Sequence, residues 1–105
     1  MGVQIISTNY RSRFGEIDII GLDQYALVFY EVKRRQNDQF GTPAARVSQW
    51  QQRRILKTAL HFLNSHKHIE YRDLRFDVLT LGKENRWIKS AFCYEDLIPD
   101  SILAR

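Results

Sequence analysis

Two adjoining runs dominate the pattern of apolar and polar positions. Glu16 to Leu22 reads E-I-D-I-I-G-L, and Ala26 to Lys33 reads A-L-V-F-Y-E-V-K. Both are rich in β-branched and aromatic residues, and in both the apolar positions fall on odd and even places alike. That pattern predicts strands covered on both faces. Asp23-Gln24 between them supplies turn chemistry, so the two runs form a hairpin. Val3 to Asn9 is a shorter β-prone stretch, and Tyr10 to Arg13 leads from it into the hairpin. Leu74 to Leu81 is a strong strand, Lys83-Glu84-Asn85 a turn, and Trp87 to Cys93 a last strand, followed by a short helical turn before Pro99.

A different period governs Gln49 to Ser65. On a wheel of about 100° per residue, Ile55, Leu56, Ala59, Leu60, Phe62 and Leu63 share one side. Arg53, Arg54, Lys57 and His61 occupy a narrow arc on the other, with Trp50 among them. Ser48 and Gln51 have capping-box spacing at the helix start. In the preceding loop, Gln36 to Arg46, Thr42-Pro43 looks like the cap and first position of a short helical turn. The order β-β-β-α-β-β predicts an α/β or α+β sheet with at least one parallel crossover.

At 105 residues the chain fits a single domain, residues 1–105, without repeats, linkers or low-complexity tracts. No apolar run approaches the roughly 18 residues of a membrane span, and the N-terminus lacks a signal-peptide pattern. The lone Cys93 excludes an internal disulfide and a paired-cysteine zinc site. The expected compartment is therefore cytoplasmic, with no membrane partner. Charge is more informative. The net charge is +4, and residues 11–57 hold nine basic against five acidic side chains, so this window carries the whole surplus. Such a concentration suits a polyanion, although a solvated basic face is the plainer reading.

Asp18, Glu31 and Lys33 interrupt strands that otherwise read as buried. Glu31 and Lys33 share a face by alternation, as do Glu16 and Asp18. If Leu22 pairs with Leu27, Asp18 lies opposite Glu31 and Glu16 opposite Lys33; a tighter turn at Asp23-Gln24 sets Glu16 opposite Glu31 instead. Facing carboxylates repel, and burying them costs several kcal/mol, so a cation is called for. Lys33 can offset one charge, and Mg²⁺ or Mn²⁺ between Asp18 and Glu31 can offset the rest. The alternative is a surface hairpin with a Glu16–Lys33 ion pair and nothing bound.

Four blocks carry a family resemblance: N-Y-R-S-R-F-G-E-I-D-I-I from Asn9, L-V-F-Y-E-V-K-R-R from Leu27, F-G-T-P-A-A-R-V from Phe40 and R-F-D-V-L from Arg75. In this order and at these distances they resemble the YraN-like family. That family is similar to Holliday-junction resolvases within the PD-(D/E)XK nuclease superfamily. The resemblance implies a restriction-endonuclease-like core and metal-dependent hydrolysis of phosphodiester bonds in DNA, with branched DNA as one expected substrate. By position it makes Asp18 the first acid, Glu31 the second and Lys33 the motif lysine, with the Val32 carbonyl as a further metal ligand. It also carries the expectation of a homodimer, for which the sequence offers no interface signal.

Two departures stand beside this likeness. Family members begin with a further helix bearing a Gly-Glu pair, whereas this chain starts at Met1-Gly2-Val3, which reads as an N-terminal truncation or a divergent member. Glu16 is the residue that could stand in for the missing Glu. The family often has Lys near the start of the main helix, where this sequence has Gln51. Two other readings stay open: a nucleic-acid-binding module of the same fold without catalysis, and a protein-interaction domain with a basic face.

Arg11, Arg13, Arg34, Arg35, Arg53, Arg54 and Lys57 are the expected phosphate contacts. Gln52, in the first helical turn, is a further accessory candidate against the plainer reading of a frayed, exposed turn. Asp77 is expected to pair with Arg75 rather than bind metal. His61, His66 and His68 match no metal-ligand spacing and belong to the helix face and its solvated end. Tyr10, Phe14, Phe40 and Trp50 lie near basic residues and could stack on bases, although core or rim positions are commoner. Cys93 is expected to serve packing.

Overall fold

The computed structural model describes residues 2–34 and 47–93. The loop from Gln36 to Arg46, the Thr42-Pro43 turn, Phe40, Arg35 and the turn before Pro99 lie outside the described residues. Five strands and one helix follow in the expected order: β1 (Val3–Ser12), β2 (Gly15–Asp23), β3 (Ala26–Arg34), α1 (Gln49–Ser65), β4 (Asp73–Leu81) and β5 (Arg86–Phe92). The fold is α+β, a five-stranded mixed sheet in the order β1-β2-β3-β4-β5. Neighbours are antiparallel except β3 and β4, which are parallel and are joined through the segment that contains α1. No helix among the described residues is long and apolar enough to cross a membrane.

The first two strands form a hairpin of their own. Tyr10 to Arg13, read as a lead-in, largely continues β1, and Ser12 pairs with Gly15 across a turn at Arg13-Phe14. Gly15 has φ +153°, open only to glycine, and an added Cβ would meet nothing closer than 3.5 Å, the Arg54 Nε. Backbone strain alone should therefore make Gly15→Ala cost about 1–3 kcal/mol. A urea midpoint lowered at unchanged slope is the expected readout, and an unmoved midpoint would mean that the turn relaxes. Between β2 and β3, Leu22 pairs with Leu27 and Asp23 with Ala26. The turn is therefore Gln24-Tyr25, one residue later than Asp23-Gln24, with Gln24 in the left-handed conformation at φ 57°.

One face of the sheet carries α1. Ile55, Thr58, Ala59 and Phe62 are the buried helix residues, the i, i+3, i+4, i+7 stripe of a helix lying flat on a sheet. They meet Ile17, Ile20, Leu27, Phe29, Phe76 and Val78, and Phe29 lies between Phe62 and Phe76. Thr58 enters this stripe because its hydroxyl is satisfied, donating to the Arg54 carbonyl at 2.9 Å and meeting Ser12 Oγ at 3.0 Å. Leu60, expected on the apolar side, is 53% exposed, since the contact stripe is narrower than the apolar arc. Cys93, expected to pack, is exposed just past the end of β5. Ala26, Val28 and Tyr30 form a second apolar layer on the opposite face, with Val3, Ile19, Leu79 and Trp87 packed around it.

Candidate active site

The site lies where β2 and β3 part. Their ladder runs from Asp23↔Ala26 to Ile19↔Tyr30 and stops one residue short of the Asp18–Glu31 position. Strict alternation would place Ile17 on the face opposite Ile20, yet both are in the core beneath α1, while Ile19 joins the other layer. The strand therefore twists out of register at Asp18. There a side chain takes over from the backbone ladder: the Val32 N–H donates to Asp18 Oδ2 at 2.7 Å. In an antiparallel ladder one residue's N–H and C=O turn toward the same neighbour, so the Val32 carbonyl faces this fork too. Asp18 also borders an open groove on the sheet face away from α1, lined by Thr8, Asn9, Ile19, Val32, Arg34 and Leu79.

Glu31 and Lys33 follow on β3. The Glu31 side chain is only 15% exposed, and its nearest described cation is Lys33 Nζ at 4.0 Å. Burial pushes its carboxyl up to about 6; the Asp18 charge adds to the rise, Lys33 opposes it, and Glu16 contributes last. No described residue donates a hydrogen bond to Glu31. Lys33 is held from the other side, donating to Gln51 Oε1 at 3.0 Å.

Gln51 is the site residue that sequence reasoning missed. The capping spacing is real, because the Gln51 N–H donates to Ser48 Oγ at 3.1 Å. Its amide does not close a capping box, however; it reaches across to β3. The available signal was the family lysine that Gln51 replaces, a polar position aimed at the same place. Gln52 does not join the site, because its Nε2 donates to the Val47 carbonyl at 2.8 Å and ties down the chain before α1. Glu16 lies close enough for its charge to raise the Glu31 carboxyl, and one of its oxygens is engaged elsewhere. Arg11, its cross-strand partner, holds Glu16 Oε2 at 2.7 Å, so the Glu16–Lys33 ion pair of the alternative reading does not form.

Of the expected phosphate contacts among the described residues, Arg34 is the one that reaches the groove at Asp18. Arg11, Arg13, Arg34, Arg53, Arg54 and Lys57 are all exposed. Tyr10 is a rim residue: its ring packs edge-on against Phe62, and its hydroxyl meets His61 Nδ1 at 2.6 Å. His66 stacks on Phe62 at the helix end.

A hard divalent cation suits the donors present: two carboxylates, one of them destabilised as an anion, and a backbone carbonyl. Among the described residues no group of three or more His, Cys, Asp or Glu side chains is arranged to hold a metal. An ion here would complete its shell with the carbonyl, water or substrate oxygens.

Fold and site together define a mixed-sheet α+β domain in which Asp18 of β2 and Glu31 and Lys33 of β3 stand where the ladder between the two strands ends. The chain belongs to the uncharacterised protein family UPF0102, whose model matches residues 1–81. It is similar to the UPF0102 protein of Coxiella burnetii, 42% identical over 92 residues, which covers 86% of this chain and 77% of the relative. The UPF0102 protein of Alcanivorax borkumensis is 41% identical over 100 residues, 90% of this chain and 80% of its own. That of Lachnoclostridium phytofermentans is 45% identical over 92 residues, 87% and 78% respectively.

Proposed function

We propose that this protein is a Mg²⁺- or Mn²⁺-dependent nuclease that hydrolyses phosphodiester bonds in DNA and prefers branched or otherwise structured DNA. Glu31 carries the reading. It is a mostly buried carboxylate raised to about 6, just past the end of the β2–β3 ladder as Asp18 is, and no described residue donates it a hydrogen bond. The resemblance to the YraN-like family, carried by the four sequence blocks, implies the same roles for Asp18, Glu31 and Lys33.

In this reading Asp18, Glu31 and the Val32 carbonyl hold the metal. A bound ion supplies Lewis-acid polarisation of a phosphoryl oxygen. The Val32 N–H fixes one Asp18 oxygen, so the carboxylate is oriented before substrate arrives. Lys33, steadied by Gln51, presents an ammonium that stabilises negative charge developing on the phosphate oxygens. The exposed arginines of β1, β3 and α1 grip the backbone without reading sequence.

The test is cleavage of labelled single-stranded, duplex, flap and four-way-junction DNA with Mn²⁺ and with EDTA. Cutting should need the metal and should fall by roughly 100-fold or more in Asp18→Ala, while binding in EDTA persists. Binding without metal-dependent cutting would replace this reading with a non-catalytic module. Negligible affinity at physiological salt would replace it with a protein-interaction domain.

A further inference from the structure

Between the β1–β2 turn and the start of α1 runs a strip of aromatic rings overlaid by cations. Trp50, in the first turn of α1, is 67% exposed, and the Arg54 guanidinium lies 4.8 Å over its ring. Phe14, in the β1–β2 turn, is covered by Arg13 at 4.9 Å and Lys57 at 5.6 Å. The two stations are contiguous, because the Arg54 side chain also lies against Gly15, the residue after Phe14. The residue after Trp50 is Gln51, which holds Lys33. The strip therefore runs from the β1–β2 turn to the helix end that supplies Gln51.

We propose that this strip binds unpaired nucleotides of DNA, Trp50 as the stacking platform next to the site and Phe14 as a second one. This deepens the nuclease reading and rests on it. Charge complementarity selects a polyanion: Arg13, Arg53, Arg54 and Lys57 are exposed around the rings, and the first turn of α1 has no acidic residue. The rings narrow the class further. A continuous duplex hides its base faces in the stack and offers a protein only phosphates and groove edges. An unpaired strand offers a phosphate and a π-face at every nucleotide, which is what alternating cations and aromatic rings match. A guanidinium on Trp50 is a ready companion for an incoming base, since it can stay on the ring or turn to the phosphate. The substrate is then a single strand, a flap or an opened junction, with the unpaired segment lying over Trp50 as it enters the fork.

Fluorescence anisotropy with an oligothymidine and with a blunt hairpin duplex, in EDTA over a salt series, tests this without requiring cleavage. Trp50→Ala should weaken oligothymidine binding roughly 5- to 100-fold while duplex affinity changes by less than about twofold and the salt slope stays put, since no phosphate contact is lost. Trp50→Phe should restore most of the loss. Arg53→Gln, by contrast, should weaken both ligands and flatten the slope. Equal losses on both ligands, or no loss on oligothymidine, overturns the stacking role. Failure of the nuclease reading has a separate signature: Trp50-dependent single-strand binding with no metal-dependent cutting. Metal-dependent cutting of DNA that Trp50→Ala leaves unchanged, with unchanged oligothymidine affinity, sinks the platform alone.

Discussion

Asp77→Ala should cost about 3–5 kcal/mol of folding stability, the penalty for removing one partner of a buried ion pair. Asp77 is fully buried on β4. Its Oδ1 accepts from Arg75 Nε at 2.9 Å and from the Ser90 N–H at 3.0 Å. Its Oδ2 accepts from Arg75 Nη2 at 3.0 Å and from Trp87 Nε1 at 2.8 Å. Truncation leaves the indole and the Ser90 amide without an acceptor. It also leaves Arg75, whose side chain is 15% exposed, with Asp23 as its remaining described carboxylate, at 2.8 Å. These two carboxylates hold the Arg75 guanidinium well above its ordinary range despite burial, so the arginine stays charged and is left with Asp23 alone to offset that charge. A domain of this size is stable by about 5–15 kcal/mol in all, so the variant should melt at least 10 °C lower, by roughly 4–8 °C per kcal/mol. Asp77→Asn should recover only part, because its amide nitrogen turns a donor toward donors. The loss should be the same in EDTA and in Mg²⁺. A shift below about 1 kcal/mol would show that the β4–β5 pairing is held elsewhere, and a loss confined to Mg²⁺ would make Asp77 a ligand after all.

That Asp77 is structural could be argued from the sequence, because Arg75 stands two residues away on the same strand face. The same holds for other short-range features. The span of α1 follows from its own period and cap. The hairpin register reduced to two options, and the one with Leu22 opposite Leu27 forms, with Gln24 in a left-handed turn conformation. What sequence could not give depends on residues brought together from far along the chain. β1 and β2 pair along nearly their whole length, and that pairing commits Glu16 to Arg11 rather than Lys33. Gln51 abandons its own helix end for a lysine eighteen residues away in sequence. Thr58 is buried because Ser12 of β1 is there to meet it. Leu60 is exposed because one flat sheet face cannot cover the full apolar arc. For the site, the residue types and strand positions of Asp18, Glu31 and Lys33 were readable. The twist at Asp18, which turns its carboxylate onto the Val32 N–H, was not.

The same fork makes a thermodynamic prediction that needs no substrate. In metal-free protein, Glu31→Gln should be more stable than the parent by about 2 kcal/mol above pH 7, with the advantage fading at lower pH. Burial, and after it the Asp18 charge, raises the folded-state pKa of Glu31 from 4.5 to about 6. The native state therefore binds this proton more tightly than the unfolded chain does. Below pH 4.5 the group is protonated in both states and contributes no difference relative to glutamine. As pH rises through the window between 4.5 and 6 the native state is penalised, and above it the full shift applies, at about 1.4 kcal/mol per unit. Glutamine keeps the shape and does not ionise, so it escapes the penalty. Mg²⁺ or Mn²⁺ should reverse the order. A cation bound only by the native state adds about 2.7 kcal/mol at a hundredfold excess over its dissociation constant, and the parent should gain far more of this than the amide variant. Urea titrations of both proteins at pH 4.5 and 8, with EDTA and with Mn²⁺, measure the whole cycle. Equal stability of the two at pH 8 in EDTA would mean that Glu31 reaches solvent and is not strained as an anion. Equal stabilisation by Mn²⁺ would place the metal elsewhere, and would take Glu31 out of the metal site that the nuclease reading requires.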